Sequence, residues 1–381
     1  MKVELIAPAG SFDSLKAAAS NGADAVYLGG KRFNARLFAK NFSDDELGKA
    51  IRYSHDRNVR VYVTVNTLVA DKELCDLDDY LCLLDNLEAD AVIIQDIGAL
   101  KLCKDLYPNL KIHVSTQSTV HNSAGVNFFS NLGAKRVTLA RELSLGEISA
   151  IKKESNGEIE VFVHGALCFS YSGQCLMSSF FGGRSANRGQ CASPCRLPYS
   201  FVNKNGNIMR VKGSYLLSMK DLNLSEDIQS LVEAGVDAFK IEGRMKNPEY
   251  VAIVTKIYRI LIDEKRRPND SEKQDLEAIF NRGFTKGYIH GNPAFEAISY
   301  KRPDNNGVEV GEVTRYDVSS RIVSIILSRS ISVGDGLEFE TDLGREGLTL
   351  MKIFVNGEEL DKSQENNEVD IPLPFTPLVN S

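Results

Sequence analysis

Gly22-Ala23-Asp24-Ala25-Val26-Tyr27-Leu28-Gly29-Gly30 carries the fold in miniature: a helix end, a short apolar run of strand length, and a stop at two glycines. The same lead-in recurs at Glu88-Ala89-Asp90-Ala91-Val92, Gly133-Ala134-Lys135-Arg136-Val137 and Gly235-Val236-Asp237-Ala238-Phe239. The repeating unit is therefore a strand followed by a helix. Near-continuous apolar character marks strands covered on both faces, as in a parallel sheet.

Eight such strands are expected, at Val3 to Pro8, Ala25 to Gly30, Val59 to Asn66, Ala91 to Asp96, Ile112 to Gln117, Arg136 to Glu142, Glu160 to His164 and Ala238 to Glu242. Ser43-x-x-Glu46 and Ser144-x-x-Glu147 read as capping boxes, and Asn247-Pro248 as an N-cap with a first-turn proline. Asn247 to Arg267 reads as the last barrel helix and Glu272 to Arg282 as a further one. Eight units predict an α/β fold, a closed (β/α)₈ TIM-like barrel. An open doubly wound sheet is the alternative, but no GxGxxG follows the first strand.

Outside this pattern lie two segments. About 73 residues separate strands seven and eight, far beyond an ordinary connection, which marks 166–237 as a functional insertion. From about Gly307 the chain turns to short β-rich runs, predicting a small C-terminal β-barrel domain. The division expected is 1–300 for the barrel and 301–381 for the small domain. From Gly307 onward the chain holds 14 acidic and 6 basic residues, a poor surface for phosphates.

A chain of 381 residues with 43% hydrophobic content can bury a large core, and its net charge of −6 gives no global sign of a polyanionic partner. Neither a signal peptide nor an 18-residue apolar span is present, so a cytoplasmic protein with no membrane partner is expected. Seven cysteines in such a chain favour reduced thiols or metal ligands over disulfides.

Four of the seven, Cys168, Cys175, Cys191 and Cys195, fall within 28 residues as C-x₆-C-x₁₅-C-x₃-C, just past strand seven. In a barrel that is the catalytic end. Four thiolates suit zinc or an iron-sulfur cluster, and spacing alone leaves both open. Cys75, Cys82 and Cys103 sit among leucines in helical patterns and are expected to pack.

Charge is segregated around the four thiols. From Val161 to Lys220 there is no Asp or Glu, while Arg184, Arg188, Arg196, Lys204, Arg210, Lys212 and Lys220 supply seven positive charges, so the rest of the chain carries −13. This predicts an anion-attracting patch suited to RNA phosphates or a small acidic cosubstrate. Phe169, Tyr171, Phe180, Phe181 and Tyr199 are interleaved and could stack on an unpaired base. Pairing of the arginines with distant carboxylates is the competing reading.

Glu160-Val161-Phe162-Val163-His164-Gly165-Ala166-Leu167-Cys168, followed by Gly173-Gln174-Cys175-Leu176-Met177-Ser178, resembles the signature of the peptidase U-32 family. Gly182-Gly183-Arg184-Ser185-Ala186-Asn187-Arg188-Gly189, Cys191 to Tyr199 and Leu216-Leu217-Ser218-Met219-Lys220-Asp221 resemble its branch that makes 5-hydroxycytidine in 23S ribosomal RNA. Ile241-Glu242-Gly243-Arg244 and Arg282-Gly283-Phe284-Thr285-Lys286-Gly287-Tyr288 are similar to further family motifs, and the resemblance runs through most of residues 1 to 300. It implies a barrel holding a [4Fe-4S] cluster on the four cysteines and oxygen-independent hydroxylation of an RNA base, in rRNA or tRNA, with prephenate as cosubstrate. Relatives also include paired proteins of quinone hydroxylation, which imply a possible protein partner of the same family, and proteins labelled collagenase-like proteases. The ribosomal branch is considerably longer than this chain.

Polar residues at strand ends complete the candidate site. His164, Glu242 and Arg141 are the catalytic candidates, with His164 or Glu242 as proton carriers near neutral pH. Arg36, Asn66, Gln117, Arg184, Arg188, Lys240 and Arg244 are the substrate-binding candidates, the arginines as carboxylate clamps. A peptidase would need a nucleophile: His164 and Cys168 could form a dyad, but no HExxH or GxSxG is present.

Overall fold

The computed structural model describes residues 3–379. Eight parallel strands, β1 (Glu4–Pro8), β2 (Ala25–Gly29), β3 (Arg60–Val65), β4 (Ala91–Ile94), β5 (Lys111–Val114), β6 (Arg136–Thr138), β7 (Glu158–Ala166) and β8 (Ala238–Ile241), pair in sequence order. Closure comes from β8, which pairs with β1 through Leu5↔Phe239 and with β7 through Val161↔Phe239. These are the eight strands read from the sequence. A helix follows each strand, α1 (Phe12–Ser20), α2 (Asp44–His55), α3 (Leu74–Asn86), α4 (Ile97–Leu106), α5 (Ser123–Asn131), α6 (Leu145–Glu154), α7 (Ile228–Glu233) and α8 (Pro248–Glu264).

Local chemistry fixes the helix starts. Ser43 and Ser144 accept from the backbone N–H of Glu46 and Glu147, whose carboxylates accept in return from the cap N–H. Asn247 caps α8 with Pro248 at its first position, where the missing N–H costs nothing. On α3 the buried positions are Leu77, Tyr80, Leu81 and Leu84. Cys75 and Cys82 lie off that stripe and are exposed, which corrects their reading as packing residues; Cys103 alone is buried.

Between sheet and helices the core is apolar, with Leu5, Leu28, Val63, Val92, Val114, Val137, Ile159 and Phe239 fully enclosed. Inside the barrel it is not. Tyr27, Tyr62, Ile6, Ile93 and three alanines fill one layer. Charges fill the rest: Arg136 bonds Glu4 at 2.7 Å and lies 3.8 Å from Glu160, which binds Lys240 at 2.9 Å. Removing one member would strand the others as buried charges.

Two short strands extend the sheet above β7. Asp221–Asn223 runs antiparallel to β7, and Phe284–Thr285 runs parallel to it in turn. At three and two residues they are too short to show a period in the sequence. The second unit, Gly307–Ser381, begins six residues beyond the expected boundary. It is antiparallel throughout, a five-stranded sheet in the order Gly311–Asp317, Ile322–Leu327, Glu368–Pro372, Ile353–Val355, Glu358–Leu360, with two separate two-stranded pairs. Val323, Ile325, Ile353, Val369 and Ile371 form its own core.

Candidate active site

At the C-terminal end of the barrel the loops after β2 and β8 and the end of strand β3 converge on Arg244. Its guanidinium donates to Asn34 Oδ1 at 2.9 Å and Thr64 Oγ1 at 3.0 Å, is 5% exposed, and has no ion-pair partner among the described residues. Burial pulls it down to about 10, opposed first by Tyr27. Glycines make the room: a Cβ on Gly29 would stand 2.6 Å from Nη1 of Arg244, and one on Gly10 would stand 1.7 Å from its carbonyl oxygen. Beside it, Arg36 meets Glu242 at 3.3 Å. Burial opposes the Arg36 charge, but Glu242, Tyr27 and Cys191 together hold the group above its ordinary value. Of these two arginines only Arg36 is paired with the carboxylate.

The insertion lies across this mouth on opposite sides. Leu37 donates its N–H to Gly189 O at 3.2 Å, tying the segment before Cys191 to the loop after β2. Thr119 Oγ1 donates to Ser172 O at 2.6 Å, and Ser172 donates to Glu142, tying the segment before Cys175 to the loops after β5 and β6. Arg196 donates to Ser218 Oγ at 2.7 Å, Leu167 O at 3.2 Å and Met219 O, so the guanidinium beside Cys195 staples the two ends of the insertion.

This scaffold brings the four cysteines together. Burial pushes Cys195 up to about 11, and the charges of Cys168, Cys191 and Cys175 act in the same direction against Arg196. Cys175 is raised by burial and by Cys168 and Cys191, with the Met177 N–H opposing. The Ser193 N–H donates to Cys191 Sγ at 3.3 Å. Among the described residues no three His, Cys, Asp or Glu side chains converge as ligands of a single ion would. Arg36 also feels Cys191, so that thiol lies near the Arg36–Glu242 pair.

The other candidates divide. Arg141 donates to Ala166 O at 2.7 Å, faces the Phe162 ring, and keeps a buried Nε without a partner. Gln117 likewise has a buried Oε1 without a partner. Asn66 is buried and accepts from the Ala35 N–H at 3.1 Å, so it shapes the loop that carries Arg36. Lys240 is not a surface contact: it is buried below the mouth, bound to Glu160 and set against the Tyr27 ring. Arg184 is exposed and unpaired among the described residues, but Arg188 corrects the reading of an uncompensated patch, since it bonds Glu73 and donates to Leu68 O at 2.8 Å.

His164 is also corrected. A bulge in β7 between Phe162 and His164 sets its ring among Tyr250, Tyr258 and Phe284, 1% exposed. The Tyr258 hydroxyl donates to Val163 O, so Nδ1–H of His164 donates to Tyr258 at 3.2 Å and Nε2 is left without a partner. No hydrogen bond joins it to Cys168 among the described residues. Burial, helped by Lys246, pulls it from its ordinary 6.5 to about 3, so it cannot carry protons near neutrality. The unfolded chain binds this proton between those two values and the folded chain does not. Stability therefore falls as pH drops from about 6.5 toward 3. His164→Gln is expected to flatten that slope by about 1.4 kcal/mol per pH unit in urea unfolding between pH 6 and 4. Parallel slopes would show that His164 does not govern the acid response.

Sequence reasoning missed Lys246. Burial first, then Arg282, pulls it down to about 7, with Asp221 and Glu242 opposing, and its ammonium lies on the Phe280 ring. The signal was its place two residues past Arg244 in Ile241-Glu242-Gly243-Arg244-Met245-Lys246.

The profile of peptidase family U32 matches residues 10–299. The chain belongs to peptidase family U32. Among its relatives, an uncharacterised protease of Methanocaldococcus jannaschii is 38% identical over 97% of this chain and 92% of its own length. The tRNA hydroxylation protein P1 of Bacillus subtilis is 33% identical over 97% of this chain and 89% of its own. The 23S rRNA 5-hydroxycytidine C2501 synthase of Escherichia coli is 36% identical over 88% of this chain but only 52% of its own. Within this U32 chain the family match spans every barrel strand from β2 to β8 and the whole insertion, while the small domain falls outside it.

Proposed function

We propose that this U32 protein is an iron-sulfur enzyme that hydroxylates an RNA base without dioxygen, using prephenate as the oxygen source. The observation that carries the reading is the set of four mutually influencing thiols, of which Cys191 lies near the Arg36–Glu242 pair beside the buried, unpaired Arg244. The relatives named for tRNA and 23S rRNA hydroxylation supply the substrate class.

The donor set fits a [4Fe-4S] cluster. A cluster takes one thiolate at each of four irons, which keeps the sulfurs farther apart than a single ion would, and N–H groups such as that of Ser193 stabilise thiolate sulfur. Cys168, Cys175, Cys191 and Cys195 would hold it, and it would supply a redox-active Lewis-acid centre at the mouth. The chain's own residues do the rest. Arg244, with Arg36, clamps a carboxylate of the cosubstrate in a site of low dielectric. Glu242 and Lys246, the latter near neutrality, are the groups placed to hold or move a proton. Arg141 and Gln117 offer polar atoms to the base, and exposed Phe180 and Phe181 offer stacking surface.

Nucleoside mass spectrometry of RNA from cells grown without dioxygen tests this reading. One hydroxylated pyrimidine is expected in wild-type tRNA or rRNA and missing when the gene is deleted. Intact RNA with a quinone deficiency would replace the reading with quinone hydroxylation alongside a family partner.

A further inference from the structure

Past Cys195 the insertion projects a two-stranded ribbon between Tyr199 and Ser214. Val202 and Ile208 face each other across it, the Met209 N–H donates to Phe201 O at 2.8 Å, and Asn203 closes the tip by accepting from Asn205 and Asn207. Its base is fixed: the Tyr199 hydroxyl donates to Pro194 O at 2.8 Å, and Gly213, at φ +80°, leaves no room for a Cβ against Tyr300 O.

Beyond that base the ribbon's apolar side chains are exposed among the described residues. Phe201, Val202, Ile208, Met209 and Val211 are 44–73% exposed, and none joins the barrel core. A lone hairpin of this kind is marginal in water, and apolar exposure on this scale marks a binding surface. Lys204, Arg210 and Lys212 are its only charged residues, and none has an ion-pair partner among the described residues. A partner must therefore be anionic and present an apolar or sugar-lined surface.

The side-chain types separate the ribbon from the thiol region. Aromatic Phe169, Tyr171, Phe180 and Phe181 crowd the segment between Cys168 and Cys191, where flat faces suit an unpaired base. Phe201 apart, the ribbon's exposed apolar side chains are aliphatic and offer little stacking surface; they can lie on riboses in the wide, shallow minor groove of an RNA helix while the ribbon's cations reach the flanking phosphates. We infer that ribbon 199–214 clamps the double-stranded stem beside the base presented to the mouth. This rests on the RNA reading above and adds the requirement for a duplex next to the target.

Fluorescence anisotropy of the whole protein with bulk tRNA, and with an oligouridine too short to fold, tests the inference at several salt concentrations. The Lys204→Ala/Arg210→Ala/Lys212→Ala variant is expected to lose about 10-fold or more in tRNA affinity, with the log-affinity against log-salt slope shrinking by about 2 to 3. Its oligouridine affinity should stay within about twofold. Val202→Ser/Ile208→Ser should weaken tRNA binding with little change in slope, because it removes groove contact and no charge. Unchanged tRNA binding by both variants overturns the stem clamp and leaves the RNA reading standing. Equal losses on tRNA and oligouridine make the ribbon a single-strand track and also overturn it. If Val202→Ser/Ile208→Ser instead converts an oligomer to monomer with tRNA affinity intact, the ribbon is a protein interface. A wild-type protein that binds no RNA overturns both readings.

Discussion

Replacing any one of Cys168, Cys175, Cys191 or Cys195 by Ala is expected to cost anaerobically purified protein most of its iron, against about four irons and four sulfides per chain in the wild type. The four act as a unit because they are held by one scaffold. Cys191 follows the Gly189 contact with Leu37, Cys175 follows the Ser172 anchor, and Cys195 adjoins the Arg196 staple. A cluster cannot replace a lost thiolate from the remaining cysteines. Cys75 and Cys82 lie on the exposed side of α3, and Cys103 is enclosed on α4. Cys75→Ala and Cys82→Ala should leave iron and stability unchanged, and Cys103→Ala should leave iron unchanged at a cost of about 1 kcal/mol. Stoichiometric zinc in place of iron would contradict the cluster.

The second large effect is expected at Arg244. On the proposed reading this buried guanidinium, held by Asn34 and Thr64 and with no ion-pair partner among the described residues, serves to bind an anionic ligand. Arg244→Ala should raise the KM for a dicarboxylate cosubstrate about 100-fold, equivalent to about 2.7 kcal/mol of binding. Arg244→Lys keeps the charge and loses the planar fork, so it should recover only part of the loss. Iron content and thermal stability separate this from misfolding. If KM is unchanged while stability drops, Arg244 is a structural residue that ties the loop after β8 to the loop after β2 and to strand β3.

Barrel, insertion and thiol set were legible because each is a local pattern: Gly22 to Gly30 shows its strand and stops within nine residues, and the four cysteines fall within 28. What escaped depends on distant partners. Arg188 looks uncompensated until Glu73, 115 residues away, is brought beside it. His164 sits in a family-like motif, yet one bulge turns it from the mouth toward Tyr258. Lys240 is indistinguishable in sequence from a strand-end ligand, and only Glu160 on the neighbouring strand β7 shows it to be internal. Cys75 and Cys82 fell among leucines, but the helical stripe through Leu77, Leu81 and Leu84 passes them by.

Complementation of a deletion strain tests the central claim most directly, with the hydroxylated nucleoside measured by mass spectrometry in RNA from cells grown without dioxygen. Wild-type protein is predicted to restore the nucleoside fully, Cys75→Ala equally, and Cys168→Ala and Arg244→Ala to leave it near the deletion level. Full restoration by Cys168→Ala, or RNA that never lost the nucleoside, would contradict the account.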